Sequence, residues 1–241
     1  MLVGVWNFAG PVQAGLGVFP VAWSNDPVSC MAAPAGMGRI EFLEVVATAG
    51  ITDNEPSGSV AAVMPLGGSG FQLGTAAGWD NNHSTGTAQL SAGYVIAGDP
   101  IGFMEGLFGP SITTGVSARY LYADSTGDNS FDFDAGFQFS LFPSFALGML
   151  YSDIINDRVL TTGFSHVFNR NLKAHTTFSD DNWQVGCELM VKRTFRVYAG
   201  TDGENVNAGV RFSPGQWNYA YGAVLHNNGI EHRIGISRRF P

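Results

Sequence analysis

The side chains in this sequence that could hold a metal ion are its histidines and cysteines, and their spacing decides whether they can do so. No two histidines have the His-x-x-x-His spacing that places two imidazoles on one metal ion. Cys30 and Cys187 are too few for a cysteine-rich zinc site or a disulfide framework. The glycine-rich stretch 67–74 lacks the Lys-Ser/Thr of a phosphate-binding loop. The sequence therefore predicts no metal and no other cofactor.

Two pairs of side chains could in principle carry acid–base or nucleophilic chemistry. Asp132 and Asp134 are two residues apart, so both fall on one face of a strand. Ser165 and His166 are adjacent, and adjacent strand residues point to opposite faces, so they cannot act together as nucleophile and base. We predict that the protein is not an enzyme, and that the two aspartates pair with basic residues on neighbouring strands, for example Arg119.

The elements that position these residues are β-strands, because apolar and polar side chains alternate along most of the chain. Period-2 alternation is typical of a strand whose two faces meet different surroundings. It is most regular in 130–141, 182–192 and 205–213. The same pattern predicts about fourteen strands, of which the first and eighth alternate weakly. They are 40–49, 57–65, 70–79, 84–96, 111–123, 129–141, 144–153, 158–168, 171–179, 182–192, 194–200, 204–213, 216–226 and 229–240.

Composition indicates which face of the strands points outward. Only 13% of the residues are charged, against roughly 25% in soluble chains, whereas 45% are hydrophobic. The charge-free stretch 56–79 is interrupted by proline and glycine and cannot form a spanning helix. The net charge of −8 argues against a nucleic-acid partner. We therefore predict an all-β fold, a transmembrane antiparallel β-barrel of about 14 strands whose apolar faces contact the lipid bilayer.

The turns alternate in length, which predicts the orientation of the barrel. Even-numbered turns are tight and odd-numbered turns are longer or polar, as expected if the two rims face different compartments. We predict a protein of the bacterial outer membrane with both termini periplasmic, and acidic side chains around the outer rim. The fourth turn, Gly98–Pro110, is the exception. Its residues Ile101, Met104, Leu107 and Phe108 have helical spacing, which predicts a short interfacial helix at the periplasmic rim.

Alternation also predicts which charged residues face the lumen, the space inside the barrel. These are Arg119, Asp132, Asp134, Glu188, Arg196, Arg211, Glu231 and Arg233. A barrel of ~14 strands has a lumen wider than its own side chains can fill. Residues 1–39 are rich in Gly, Ala and Pro and contain no convincing strand, so we predict that they fold into the lumen as a hatch, with 40–241 forming the barrel. A lumen of mixed charge suits the anchoring of such a hatch.

Both ends of the chain resemble a known family. The segments Ala14-Gly15-Leu16-Gly17, Asn25-Asp26-Pro27 and Ala33-Pro34-Ala35-Gly36-Met37 resemble the N-terminal hatch of PorV/PorQ-type outer-membrane proteins, which are relatives of the FadL fatty-acid channels. Asn218–Tyr221 and 229–237 are similar to the closing strands of that family. Ala33 stands where the family has Asn. The resemblance implies that the hatch motif here comprises Gly15, Leu16, Gly17, Asp26, Pro27, Pro34, Ala35 and Gly36.

The resemblance also carries expectations about function. It implies a fourteen-stranded barrel with a luminal hatch, used in type IX secretion or in the passage of hydrophobic molecules. It further implies that Phe240 is the aromatic residue read by the barrel-insertion machinery, although Pro241 follows it here.

Several functions remain open at this point. The leading hypothesis is a non-enzymatic barrel that docks or scaffolds protein partners of a secretion or envelope complex. The alternative is a FadL-like channel for uptake of small hydrophobic molecules, whose ligand would be a lipid or another apolar molecule. An abundant structural barrel and a soluble all-β protein are the further possibilities.

Overall fold

Fourteen antiparallel strands close into a barrel within the part of the chain that the structure describes. The computed structural model describes residues 11–16, 21–22, 27–28, 32–52, 55–81, 84–100, 107–123, 129–155, 158–180, 182–227 and 229–241. The strands are β1 Leu43–Thr52, β2 Glu55–Pro65, β3 Phe71–Asp80, β4 Thr85–Gly98, β5 Ser111–Ala123, β6 Asn129–Phe142, β7 Phe145–Ser152, β8 Val159–Asn169, β9 Leu172–Ser179, β10 Asn182–Lys192, β11 Phe195–Thr201, β12 Val206–Phe212, β13 Trp217–His226 and β14 Gly229–Phe240. The prediction of a fourteen-stranded antiparallel barrel is confirmed.

Each strand pairs with its neighbours in sequence, and the first strand pairs with the last. The β1–β14 ladder runs from Leu43 opposite Phe240 to Ile51 opposite His232, which closes the barrel. Closure matters because it leaves no strand edge with unpaired backbone groups, a requirement for any sheet that crosses a bilayer.

The two faces of the strands differ as the alternation predicts. On β6, the phenylalanines at 131, 133 and 137 are exposed on the outside, whereas Asp132, Asp134 and Gln138 are buried on the inside. The aromatic residues near strand ends follow the same rule. Exposed on the outer face are Trp79, Tyr94, Tyr122, Trp183, Trp217, Tyr221 and Phe240. An apolar outer surface with aromatic side chains near its rims is the pattern of barrels embedded in lipid.

The two rims of the barrel are built differently. We call the end that holds the even-numbered connections and the two ends of the strand sequence the short-turn rim. Two residues join β6 to β7, β8 to β9 and β10 to β11 there, but two residues also join β1 to β2, β9 to β10 and β13 to β14 at the other rim, so the predicted alternation of turn length is seen only in part. Four register shifts, between Val95 and Ala97 and at equivalent places on β6, β8 and β10, all lie near this rim. Bulges are common at barrel rims, where they bend a strand as it enters a turn.

Among the described residues, two short helices precede the barrel. They are α1, Pro11–Leu16, and a 3₁₀ helix, Pro34–Arg39, which begins with a proline as helices often do. The first contacts β10 through β14, and the second contacts β3 through β6. A six-residue helix can touch five consecutive strands of a closed barrel only from inside. No helix among the described residues is long and apolar enough to span a membrane.

The fourth connection differs from its prediction. Phe108 does not lie at a membrane interface, because its side chain is 2% exposed and packs inside the barrel against Ala146 and Val167. Its backbone N–H donates to the carbonyl oxygen of Pro143, 2.8 Å away, which holds it in this position. The helix predicted around Ile101 and Met104 lies outside the described residues.

Candidate functional site

The described part of the N-terminal segment rests on glycines of the inner wall. A Cβ atom at Gly200 would overlap the carbonyl oxygen of Leu16, and one at Gly148 would overlap that of Val21. Backbone therefore lies directly against backbone, which a strand residue with a side chain would prevent. Gln138 adds a polar attachment, because its side-chain amide donates to the carbonyl oxygen of Val21 at 2.7 Å.

The residues of the hatch motif that the structure describes are buried within the barrel. The side chain of Leu16 packs against Tyr198 of β11. Pro34, Ala35 and Gly36 form the buried first half of the 3₁₀ helix. Pro27 is also buried, and Gly15 lies in α1. Gly17 and Asp26 lie outside the described residues, and the role of the whole motif as a hatch stays a prediction.

One cluster of inward-facing charges surrounds Arg119. Its guanidinium lies 3.4 Å from Asp134, measured from Nη2 to Oδ1, and also bonds to Asp153 at the end of β7. Ser117 donates to the other oxygen of Asp134 at 2.8 Å. The Oδ1 of Asp132 accepts the backbone N–H groups of residues 133 and 155. The predicted pairing with Arg119 is thus seen for Asp134.

The remaining predicted luminal charges also lie on the inner side of the barrel. Glu188 accepts from Arg196 at 2.8 Å and lies 4.0 Å from the Lys173 ammonium. Glu231 bonds to Arg233. Arg211 is half-buried on β12. These pairs keep buried charges compensated, which a low-dielectric interior requires.

Ser165 forms a hydrogen bond that the sequence did not predict. Its Oγ lies 2.8 Å from Nδ1 of His175, directly opposite it on β9. A serine bonded to a histidine is the arrangement of a nucleophile and its base. Both side chains are, however, only 1% exposed, so no substrate reaches them in this arrangement. Among the described residues, no His, Cys, Asp and Glu side chains group in a way that could hold a metal ion.

Arg39, at the end of the 3₁₀ helix, is a buried cation that sequence reasoning missed. It donates through Nε to Gln138 and through Nη1 to the carbonyl oxygen of Pro100, both at 3.3 Å. Its Nη2 has no hydrogen-bond partner among the described residues. Burial lowers the pKa of Arg39 to about 10, which still leaves the guanidinium charged at neutral pH. The sequence signal for Arg39 was that it and Arg119 are the only Lys or Arg residues before residue 157.

A cavity of about 480 Å³ lies at the short-turn rim, between the 3₁₀ helix and the wall formed by β2, β3 and β4. Two acidic residues, Glu41 and Asp99, also border it. The rest of its lining is mainly apolar, with Gln72 as a polar exception. The apolar side chains are Ile40, Phe42, Leu66, Phe71 and Val95.

These features define a class of fold. A closed barrel of fourteen antiparallel strands, apolar outside and polar inside, with chain packed in its lumen, is the architecture of outer-membrane β-barrel proteins.

Comparison with solved structures supports the same class. The toluene transporter TbuX of Ralstonia pickettii is 14% identical, with a TM-score of 0.58 over 97% of this chain and 98% of that one. The CymD monoaromatic hydrocarbon channel is 12% identical, with a TM-score of 0.66 over 96% and 97%. The outer membrane protein Omp33 of Acinetobacter baumannii is 11% identical, with a TM-score of 0.61 over 84% of this chain and the whole of that one. No family model and no curated protein matches the sequence.

Proposed function

We propose that this protein is a channel of the bacterial outer membrane through which small hydrophobic molecules pass, with both termini in the periplasm. TbuX and CymD, which resemble it over nearly their full lengths, are described as a toluene transporter and a monoaromatic hydrocarbon channel. The docking of protein partners, our leading hypothesis from the sequence, has no support from contacts or comparisons. The association with type IX secretion rests on the two PorV/PorQ-like motifs only.

The observation that carries the proposal is the cavity at the short-turn rim. Its volume of about 480 Å³ falls within the ~300–1,000 Å³ of small-molecule sites, which are lined mostly by apolar side chains with a few polar groups. It lies where the 3₁₀ helix meets the wall, so a ligand there contacts both the N-terminal segment and the barrel. An apolar molecule gains from such a site because it buries apolar surface against these side chains.

In this proposal, residues 1–39 act as the hatch. The proposal is supported by the described residues of the segment, which lie against glycines of the wall and are held by hydrogen bonds of Gln138 and Arg39. The inward-facing ion pairs of Arg119 and Glu188 give the wall a polar inner surface on which this backbone rests. A wide aqueous pore is thereby closed, while the apolar cavity remains beside the hatch.

Filling the cavity tests the proposal. Val95 lines it from β4, whereas Val116 of β5 is exposed on the outer face, so Val95→Phe and Val116→Phe make the same exchange at two kinds of site. Uptake of radiolabelled toluene is measured in outer-membrane vesicles containing each variant at equal folded amounts. We expect Val95→Phe to reduce uptake severalfold and Val116→Phe to leave it unchanged.

Two results would contradict the channel. One is toluene uptake by wild-type vesicles no faster than by vesicles without the protein. The other is equal toluene uptake by the two phenylalanine variants, which would show that toluene does not pass through this cavity.

A further inference from the structure

The short-turn rim carries an arc of basic side chains. Among the described residues, the exposed Lys and Arg side chains at this end lie on the strands and turns from β8 to β14, which are consecutive in the closed barrel. They are Arg170, Lys192, Arg193, Arg238 and Arg239, and we call them the basic arc. The described strands and turns from β1 to β7 contribute no base at this rim, and they include the acidic residues Glu41 and Asp99.

Arg238 is a member of the basic arc that faces outward. It lies on the same face of β14 as the exposed side chains of Ile234 and Ile236. Its guanidinium carbon is 5.0 Å from the ring centre of Trp217 and 4.8 Å from that of Phe240. Both rings are exposed on the outer wall as well. The cation therefore contacts two aromatic rings on the apolar surface, two residues before β14 ends at Phe240.

Arg238 differs from its neighbour Arg239 in its charge partner. Arg239 donates to the buried carboxylate of Glu44 at 3.2 Å, measured from Nε to Oε1. Arg238 makes no ion pair with any described residue, and cation–π contacts are its only interactions there. Cation–π contacts satisfy none of the five N–H donors of a guanidinium. The outer face of β14 thus presents an uncompensated cation with free donors.

We propose that Arg238 binds the anionic headgroup of a phospholipid in the leaflet around the short-turn rim, and that the other members of the basic arc add positive charge along the same side of this rim. A guanidinium matches a phosphate oxygen pair with two parallel hydrogen bonds, and the exposed Trp217 and Phe240 rings pack against the first carbons of the acyl chains. One Lys or Arg side chain close to a membrane surface raises the affinity of a protein for anionic lipid about fivefold. Glu41 and Asp99, on the other side of the same rim, restrict the preference for anionic lipid to one side of the barrel.

The choice of phospholipid follows from the proposed orientation and does not depend on the transport of hydrocarbons. With both termini periplasmic, the short-turn rim lies in the inner leaflet, which consists of phospholipid, and away from the lipid A of the outer leaflet. Lipid binding and toluene uptake are separate measurements, so either proposal can fail without the other.

Quenching of Trp217 by brominated lipid tests the site. The full chain, with phenylalanine at its other four tryptophans so that Trp217 is the sole emitter, is reconstituted in phosphatidylcholine vesicles. Brominated phosphatidylglycerol or brominated phosphatidylcholine is then added, and the ratio of the two quenching affinities gives the anionic preference. We expect a preference of about fivefold, reduced to nearly none by Arg238→Gln and largely kept by Arg238→Lys.

Arg158→Gln is the matched control, because it removes the same charge from an exposed position at the other rim. It should keep the preference, and the heat-dependent gel shift of each variant checks that the barrel is folded. The proposal is overturned if the parent shows no preference, if Arg238→Gln keeps it, or if Arg158→Gln loses as much. It is also overturned if unlabelled lipid A or millimolar inorganic phosphate displaces the brominated lipid better than phosphatidylglycerol does.

Discussion

Arg39 lies over the ring of Phe108, with its guanidinium carbon 5.5 Å from the ring centre. This contact joins the 3₁₀ helix to the end of the one long connection at the short-turn rim. Pro100, near the start of the same connection, accepts a hydrogen bond from Arg39 as well. The length of the fourth connection thus has a structural reason, because its described ends reach into the barrel and meet the N-terminal segment.

Replacing Arg39 by methionine tests whether an anionic group pairs with this buried cation. The nearest described groups are neutral, so Arg39→Met leaves no buried carboxylate behind. It removes two hydrogen bonds but also the desolvation cost of the charge, and methionine fills a similar volume. We expect the free energy of unfolding in urea to change by less than about 1 kcal/mol. A loss of several kcal/mol would reveal an anionic partner.

The same exchange at Arg119 should give the opposite result. Arg119 is 3% exposed and compensates both Asp134 and Asp153. Arg119→Met leaves these carboxylates without their cation, and we expect it to lower the free energy of unfolding by about 3–5 kcal/mol. Arg158→Met, at an exposed position of the rim, should change it by less than about 0.5 kcal/mol. Equal stability of the two variants would show that the Arg119 cluster contributes little.

A methyl group on Gly200 should displace α1. The overlapping atom is a backbone oxygen, that of Leu16, which cannot move without the helix. We expect Gly200→Ala to increase hydrogen exchange in residues 11–16 and to raise ion conductance in planar bilayers. In Gly86→Ala the added carbon has no neighbour closer than 3.9 Å, so both quantities should stay at the wild-type level. Unchanged exchange in Gly200→Ala would show that α1 does not rest on β11.

Truncating Phe108 should loosen the short-turn end of the lumen. Its ring is buried between the cations of Arg39 and Lys173 and packs on Ala146. Phe108→Ala leaves a cavity there, and we expect it to lower the free energy of unfolding by about 3 kcal/mol and to raise the permeability to small sugars in liposome swelling. The control is Phe142→Ala on the exposed outer surface of β6. Similar permeability in both variants would argue against a closing role for this ring.

Cys187 reports which face of the wall meets lipid. Its thiol is free and exposed on the outer side of β10. In a Cys30→Ser background in vesicles, we expect it to react with an uncharged methanethiosulfonate reagent and not with a cationic one. A cysteine placed at Asn227 in the exposed β13–β14 turn, with both native cysteines replaced by serine, should react with both. Equal reaction of Cys187 with the two reagents, measured by mass, would place this face in water.

The strands could be predicted because their signal is local. A strand residue points to one side or the other according to its position alone, so the alternation in β6 and β10 identifies both the strand and its inner face without knowledge of its partners. The low charge content then indicates which face meets lipid. For this reason the fourteen strands, and the burial of residues such as Asp134 and Glu188, follow from the order of the side chains.

The contacts across the lumen depended on the closed barrel. Ser165 meets His175 because β8 and β9 pair in one particular register, and Phe108 turns inward because Arg39 and Lys173 face it from distant parts of the chain. No spacing along the sequence encodes such distances. The sequence by itself determined the strands, their inner and outer faces and the barrel class, since these depend on neighbouring residues. Only the tertiary structure decided where the N-terminal segment rests, which charges pair and where an apolar cavity remains, since these depend on how the wall closes around the chain inside it.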